Sequence, residues 1–183
     1  IDLTSLAMVE RAIKEMWTRG APLIGAVAAY GLCVALRDDA SDVNLEHAYQ
    51  RLLATRPTAI NLKWALDEMM QAIQPLPPTQ RMLTGYARAA ALCDEDVKLN
   101  QAIGQHGLDV IKKLSAQING QVMNILTHCN AGWLATVDYG TATAPIYLAH
   151  DAGISVHVWV DETRPRNQGS ALTAFELAQH GVP

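Results

Sequence analysis

Cysteine is scarce in this chain, with only Cys33, Cys93 and Cys129. An odd number at unmatched spacing excludes a disulfide framework and suits a reducing compartment, so a cytoplasmic location is expected. A basic excess is also missing. Fourteen Lys and Arg against 18 Asp and Glu leave a formal charge of −4, which gives no electrostatic footprint for nucleic acid. No positive segment followed by an apolar one opens the chain, and no apolar run reads as membrane-spanning, so neither a signal peptide nor a membrane partner is expected. Paired His or Cys at metal spacing are absent. His128 and Cys129 are neighbours, which on a strand face opposite ways, so no zinc site is expected. There is no internal repeat and no low-complexity tract.

What remains is a chain of 183 residues, half of them apolar, enough for one medium domain or two small ones. Its first part reads as helical. Leu6, Val9, Ile13, Met16 and Trp17 recur at three- and four-residue spacing after N-cap candidates at Asp2 to Ser5, predicting a helix over 6–17. Pro22 suits the first turn of a second helix over 23–36, whose GAVAAYG stretch is nearly uncharged and reads as buried all round, its small residues permitting close approach. Further helices are expected over 44–54, 59–73 and 79–117, with a bend near Gly104 or Gly107, and no strand through 118.

At Gln121 the texture changes. Val122 to Thr127 is a short apolar run between Asn119-Gly120 and Asn130-Ala131-Gly132, a buried-strand pattern. A helix reaching Ala152-Gly153, a strand over 154–160, a break over 161–169 and a helix over 170–179 follow. The order βαβα implies a parallel sheet. The fold class is therefore α/β: an N-terminal helical domain, 1–118, then the first βαβα portion of a Rossmann-like sheet, 119–183. Two parallel strands do not finish such a sheet. Ile1 opens directly into a helical pattern and Gly181-Val182-Pro183 stands where a strand is due, so both ends are expected to continue in a longer protein.

Ligands of open α/β sheets bind beyond the carboxyl ends of the strands. Cys129 stands there, at the close of VMNILTHCNAG. A helix beginning just after it would aim N–H groups at a bound anion and favour the thiolate; the alternative is a small core residue. For Cys33 and Cys93, core packing is the better reading. Arg19 in RGAP and Arg56 in TRPT share a setting, an arginine in a helix–helix break beside proline. A guanidinium there can fork onto a phosphate or carboxylate, with N–H groups of Arg19-Gly20-Ala21 added; the alternative is a capping or inter-helix salt bridge. Asp161-Glu162-Thr163-Arg164-Pro165 forms a second loop on the same rim, with Gln168 and Gly169 opening the next helix. Charge-paired scaffolding suits Asp161, Glu162 and Arg164. A dinucleotide reading that puts Asp161 on a ribose is weak, because the first turn is CNAGWLA and not GxGxxG.

RGAPLIGAVAAYG, TRPTAINL, ILTHCNAGWLATVDYGTA and DETRPRNQGSALTAFEL followed by GVP together resemble the methylthioribose-1-phosphate isomerase family. That family is grouped with ribose-1,5-bisphosphate isomerase and the regulatory subunits of the initiation factor 2B exchange factor. The resemblance implies a helical N-terminal domain, a Rossmann-like C-terminal domain, a homodimer, and no metal or nucleotide cofactor. It implies conversion of 5-methylthioribose 1-phosphate to the corresponding ribulose phosphate in methionine salvage. By the family's pattern Cys129 assists the transition state, while Arg19, Gly20, Ala21, Arg56 and Gln168 hold the phosphate and sugar. The family's catalytic aspartate, and an Asn-Lys pair, lie beyond Pro183. The chain is thus expected to be the first part of such an enzyme, inactive alone and completed by the remaining C-terminal segment. Two other readings stand beside this one: a non-catalytic regulatory subunit of the initiation factor 2B type, and an isomerase for 5-deoxyribose 1-phosphate or ribose 1,5-bisphosphate. Cys129-Asn130-Ala131-Gly132 argues against the first, and the 5-substituent is not legible.

Overall fold

The computed structural model describes all 183 residues, Ile1–Pro183. They form two compact units, Ile1–Glu95 and Asp96–Pro183. The first is all helix: α1 (Leu6–Lys14), α2 (Ala21–Asp38), α3 (Asp42–Leu53), α4 (Ile60–Ile73) and the start of α5 (Pro78–Ser115). Ser5 and Ser41 cap α1 and α3, their hydroxyls accepting from the N–H of Met8 and Asn44. α1 stops at Lys14 rather than at Trp17. Met16 takes a left-handed φ of 61°, and the N–H groups of Trp17 and Thr18 both turn back onto the Ala12 carbonyl, closing the helix end as left-handed caps do.

The apolar, charge-poor stretch becomes the central helix. Ile24, Ala28, Ala29, Leu32, Cys33, Ala35 and Leu36 are buried among residues of α1, α3 and α4. Full burial of each large aliphatic side chain contributes about 1.5–3 kcal/mol. Its glycines are contact points. A Cβ on Gly25 would stand 3.0 Å from the Asn61 carbonyl and 3.3 Å from the Ala65 Cβ, and one on Gly31 would stand 2.8 Å from Val9 Cγ1. By length and composition α2 is also long and apolar enough to cross a bilayer, which corrects the expectation that no run in the chain is. Here it packs as a core helix. Burial holds the Cys33 thiol at about 12, and Cys33 donates to the Ala29 carbonyl at 3.4 Å, in keeping with a packing role.

Arg81 is 3% exposed and ties together the α2–α3 and α4–α5 connections. Its guanidinium donates to the carbonyls of Ala40, Gln74 and Leu76 at 2.9–3.0 Å, and to Asp42. Pro75-Leu76-Pro77-Pro78 therefore ends α4 inside a hydrogen-bonded corner.

In the second unit, β1 (Met123–Thr127) and β2 (Val156–Val160) pair in parallel, with Met123 opposite Val156 and Thr127 opposite Val160. Between them lies α6 (Ala144–Asp151); after β2, a π-helical turn at Gly169–Thr173 leads into α7 (Ala174–Gln179). The βαβα order and parallel pairing agree with the α/β expectation. Ile125, Val156 and Val158 face a core of Leu108, Ile111, Ile146 and Leu177. Leu126 and Trp159 lie on the exposed face. On β2's other edge the Val158 N–H already donates to the Pro183 carbonyl at 2.8 Å.

α5 carries residues of both units. Its second half brings Leu108 and Ile111 into the βα core, although the sequence pattern groups it with the preceding helices, because helical periodicity does not show which core a stripe serves. Nor does the helix break at its glycines. A Cβ on Gly104 would meet Leu148 Cδ1 at 2.9 Å, and one on Gly107 would meet Pro145 Cγ at 2.3 Å. They are spots of close approach to α6.

Candidate functional site

Cys129 lies two residues past β1 and is half-buried. Its φ is 62°, a left-handed value that costs a residue with a Cβ about 1–3 kcal/mol and persists only where the surroundings over-determine it. They do. The Cys129 N–H donates to Thr163 Oγ1 at 3.0 Å, and that hydroxyl donates to the Asp161 carbonyl. The Cys129 carbonyl accepts from Thr173 Oγ1 at 2.7 Å. Both peptide groups flanking the thiol-bearing carbon are thus held by threonine hydroxyls from the chain after β2. The thiol contacts Gln168, Sγ to Oε1 3.8 Å.

The second rim loop is drawn onto the first. The Asp161 N–H extends the ladder to the Thr127 carbonyl at 3.0 Å, and the Asp161 carboxylate takes His128 Nδ1 at 3.0 Å. Arg164 Nε pairs with Glu162 at 3.1 Å. Asp161, Glu162 and Arg164 are thus each paired within the rim loops, Asp161 with His128 and Glu162 with Arg164. Gly169 lets the next turn seat against β2's end, since a Cβ there would lie 1.7 Å from the Asp161 carbonyl oxygen.

The turn after Cys129 differs from expectation. No long helix starts there. A single 3-10 turn, Trp133–Ala135, is followed by a polar loop, and α6 begins only at Ala144. Thr136, Thr141 and Gly140 divert the backbone: Thr141 bonds the Ala131 carbonyl through both its N–H and its hydroxyl, and Gly140 donates to Thr136 Oγ1. One donor of the 3-10 turn, the Leu134 N–H, is taken by Glu176 Oε2 at 3.0 Å. The anion-directed helix terminus expected behind Cys129 is therefore absent.

Glu176 is the residue that sequence reading missed. It is fully buried, and its Oε1 accepts from Asn130 Nδ2 at 2.9 Å. Asn130 Nδ2 also reaches Thr173 Oγ1 at 3.1 Å. Gly132 packs against this carboxylate so closely that a Cβ would fall 1.4 Å from Oε1. Burial, and then the Glu176 charge, push the Tyr147 phenol pKa upward, keeping it protonated.

In the helical unit, Gly20 is the N-cap of α2 with φ 90°, a conformation that favours glycine. Ala21 opens the helix and Pro22 follows, while Arg19 sits just before. Neither α2 nor α4 has a side-chain cap at its start, so first-turn N–H groups there lack intrahelical acceptors. Arg56 lies in the turn before α4, where its carbonyl accepts from the Ala59 N–H at 3.0 Å. The two helices run the same way. Gly25, near the start of α2, touches Asn61 and Ala65 near the start of α4, whereas Cys33 and Leu36 of α2 and Ile73 of α4 meet at Gly85. The uncapped termini of α2 and α4, each preceded by an arginine, therefore share one end of the helical unit. Such an end attracts anions. The structure thus brings Cys129 and Gln168 together in one unit, and Arg19, Gly20, Ala21 and Arg56 to one end of the other.

Comparison with known proteins gives the family. The chain is 63% identical over 183 residues to the methylthioribose-1-phosphate isomerase of Paramagnetospirillum magneticum and 62% identical over 185 residues to that of Gluconobacter oxydans, spanning all of this chain and 50% of each relative. It spans about half the length of the curated relatives it matches. Among solved structures, 5-methylthioribose 1-phosphate isomerase from Pyrococcus horikoshii superimposes with a TM-score of 0.83 at 36% identity, over 97% of this chain and 50% of that one. The translation initiation factor eIF-2B subunit delta from A. fulgidus gives 0.80 at 32% identity, over 100% and 53%. The Initiation factor 2 subunit family matches residues 17–183, and the chain belongs to that family.

Proposed function

We propose that the protein is an aldose–ketose isomerase that converts 5-methylthioribose 1-phosphate to 5-methylthioribulose 1-phosphate. The observation that carries this reading is the enforced left-handed Cys129, with its thiol against Gln168 at the strand ends, in a chain that matches isomerases of that name along its whole length. A sugar phosphorylated on its anomeric oxygen has no free aldehyde. The ring opens by protonation of the ring oxygen, and a hydrogen then moves from carbon 2 to carbon 1. Cys129 serves that transfer as proton donor or as polariser beside the reacting carbons. Gln168 orients the sugar, and Arg19, Gly20, Ala21 and Arg56 bind the phosphate. The general acid/base that the chemistry also needs is not assigned to any aspartate in 1–183: Asp161 is engaged by His128. In this reading the whole protein works as a homodimer in the cytoplasm.

The likeness to the initiation-factor subunit favours a second reading, a non-catalytic regulatory protein. A coupled assay of the full-length protein with 5-methylthioribose 1-phosphate, 5-deoxyribose 1-phosphate and ribose 1,5-bisphosphate separates them. Ketose formation from the methylthio sugar at the highest kcat/KM is expected. No turnover of any of the three would favour the regulatory reading, and preference for another sugar would correct the substrate. Arg56→Ala is expected to raise KM for the sugar phosphate by about tenfold or more, the loss of one charge-assisted contact. An unchanged KM would remove Arg56 from the phosphate site.

A further inference from the structure

We infer that Glu176 is a positioning residue for Cys129, acting through Asn130 and Thr173; the inference rests on the isomerase reading for its catalytic consequence, though not for its structural one. The chain of bonds is continuous. Glu176 Oε1 accepts from Asn130 Nδ2, the same nitrogen reaches Thr173 Oγ1, and that hydroxyl donates to the carbonyl of Cys129 itself. The other carboxylate oxygen accepts the Leu134 N–H and pins the far side of the same turn. One buried side chain from α7 thus fixes both ends of the segment that follows the thiol.

The chemistry of the network calls for a carboxylate. Two N–H donors approach its two oxygens from different residues, and of glutamate and glutamine only glutamate offers an acceptor on both sides. Glutamine has the same shape but turns an NH₂ toward one of the donors, leaving a donor facing a donor in a site without solvent. Gly132 provides the space, since the carboxylate fills the position of its missing Cβ. Asn130, Gly132 and Glu176 therefore form one device, in which two turn residues and a helix residue far along the chain depend on each other. Its output is the backbone conformation of Cys129, and through it the direction of the thiol toward Gln168.

The test uses the full-length protein with Glu176→Gln. Iodoacetamide labelling is followed at Cys129 and Cys93 by peptide mass spectrometry, beside a thermal melt and steady-state kinetics. With the turn released, labelling of Cys129 is expected to speed up about fivefold or more while Cys93 keeps its rate, and kcat is expected to fall about tenfold or more with KM changed less than about threefold. Unchanged Cys129 labelling and kcat in a folded variant would overturn the inference. So would equal acceleration at both cysteines, which would mark general loosening. If the wild type turned over none of the three sugar phosphates, the isomerase reading would fail, and the labelling ratio would still decide whether Glu176 positions the thiol. Should Glu176→Gln not fold, Thr173→Val cuts the same chain next to Cys129, and the same selective acceleration is expected of it.

Discussion

Cys129→Ser in the full-length protein is expected to lower kcat by about a hundredfold or more, the range that a positioned proton-transferring group contributes. Serine keeps the shape and the left-handed backbone, because the bonds from Thr163 and Thr173 are made by the main chain of residue 129 and not by its side chain. The side chain is half-buried and its contact with Gln168 is long, 3.8 Å, so little stability is at stake. What changes is the group itself. A hydroxyl gives up its proton far less readily than a thiol and is less polarizable. Loss of turnover in a variant that melts like wild type would therefore belong to the chemistry, and steady-state kinetics with a melt is the measurement. Turnover within about twofold of wild type would remove Cys129 from the reaction.

Gly132→Ala has the largest expected effect on stability. The added Cβ would lie 1.4 Å from Glu176 Oε1 and 2.2 Å from Cδ. That carboxylate is fully buried and cannot swing to solvent without giving up its bonds to Asn130 and Leu134. Overpacking together with two lost hydrogen bonds to a buried carboxyl group gives a destabilisation of about 2–5 kcal/mol. Gly153→Ala is the control. Gly153 has φ 77° with nothing within 4 Å of the added atom, so only backbone strain is charged, about 1–2 kcal/mol. Urea unfolding of both variants measures the difference. Equal losses would show that the Gly132–Glu176 packing is not what this turn depends on.

The helical unit was legible because its signals are local. Ser5, the Pro22 break and the apolar spacing of α1 each act within a few residues, and the small residues of GAVAAYG mark the close approaches found at Gly25 and Gly31; the Ser41 cap, which starts α3 at Asp42 rather than Asn44, was not read. That the loops carrying Cys129 and Gln168 share one rim was legible from strand order, since parallel strands put both following loops there, whereas Gln168 itself was singled out only by the family resemblance. The failures come from distance. The stretch after Gly132 has a helix-like composition, but its backbone is captured by Thr136, Thr141 and Glu176, the last of them 42 residues beyond Leu134. Glutamate in a helical pattern reads as a solvent-facing residue, and nothing near Glu176 in the chain signals the Asn130 amide that it meets. Arg81 was missed for the same reason, since its partners Ala40 and Asp42 lie about forty residues earlier. The motif residues themselves could have given the hint. Glycine two places after a buried asparagine leaves room for something to occupy the space of a side chain.

The proposal that a sugar phosphate sits against Cys129 is tested most directly by ligand protection. The rate of iodoacetamide labelling at Cys129 is measured in the full-length protein with and without saturating 5-methylthioribulose 1-phosphate, with Cys93 as internal reference. Cys33, buried with its thiol held at about 12, stays out of the reaction. The expected result is slowing at Cys129 of about tenfold or more with Cys93 unaffected, as a bound ligand excludes the reagent. Labelling of Cys129 at the same rate with the ligand bound would contradict it.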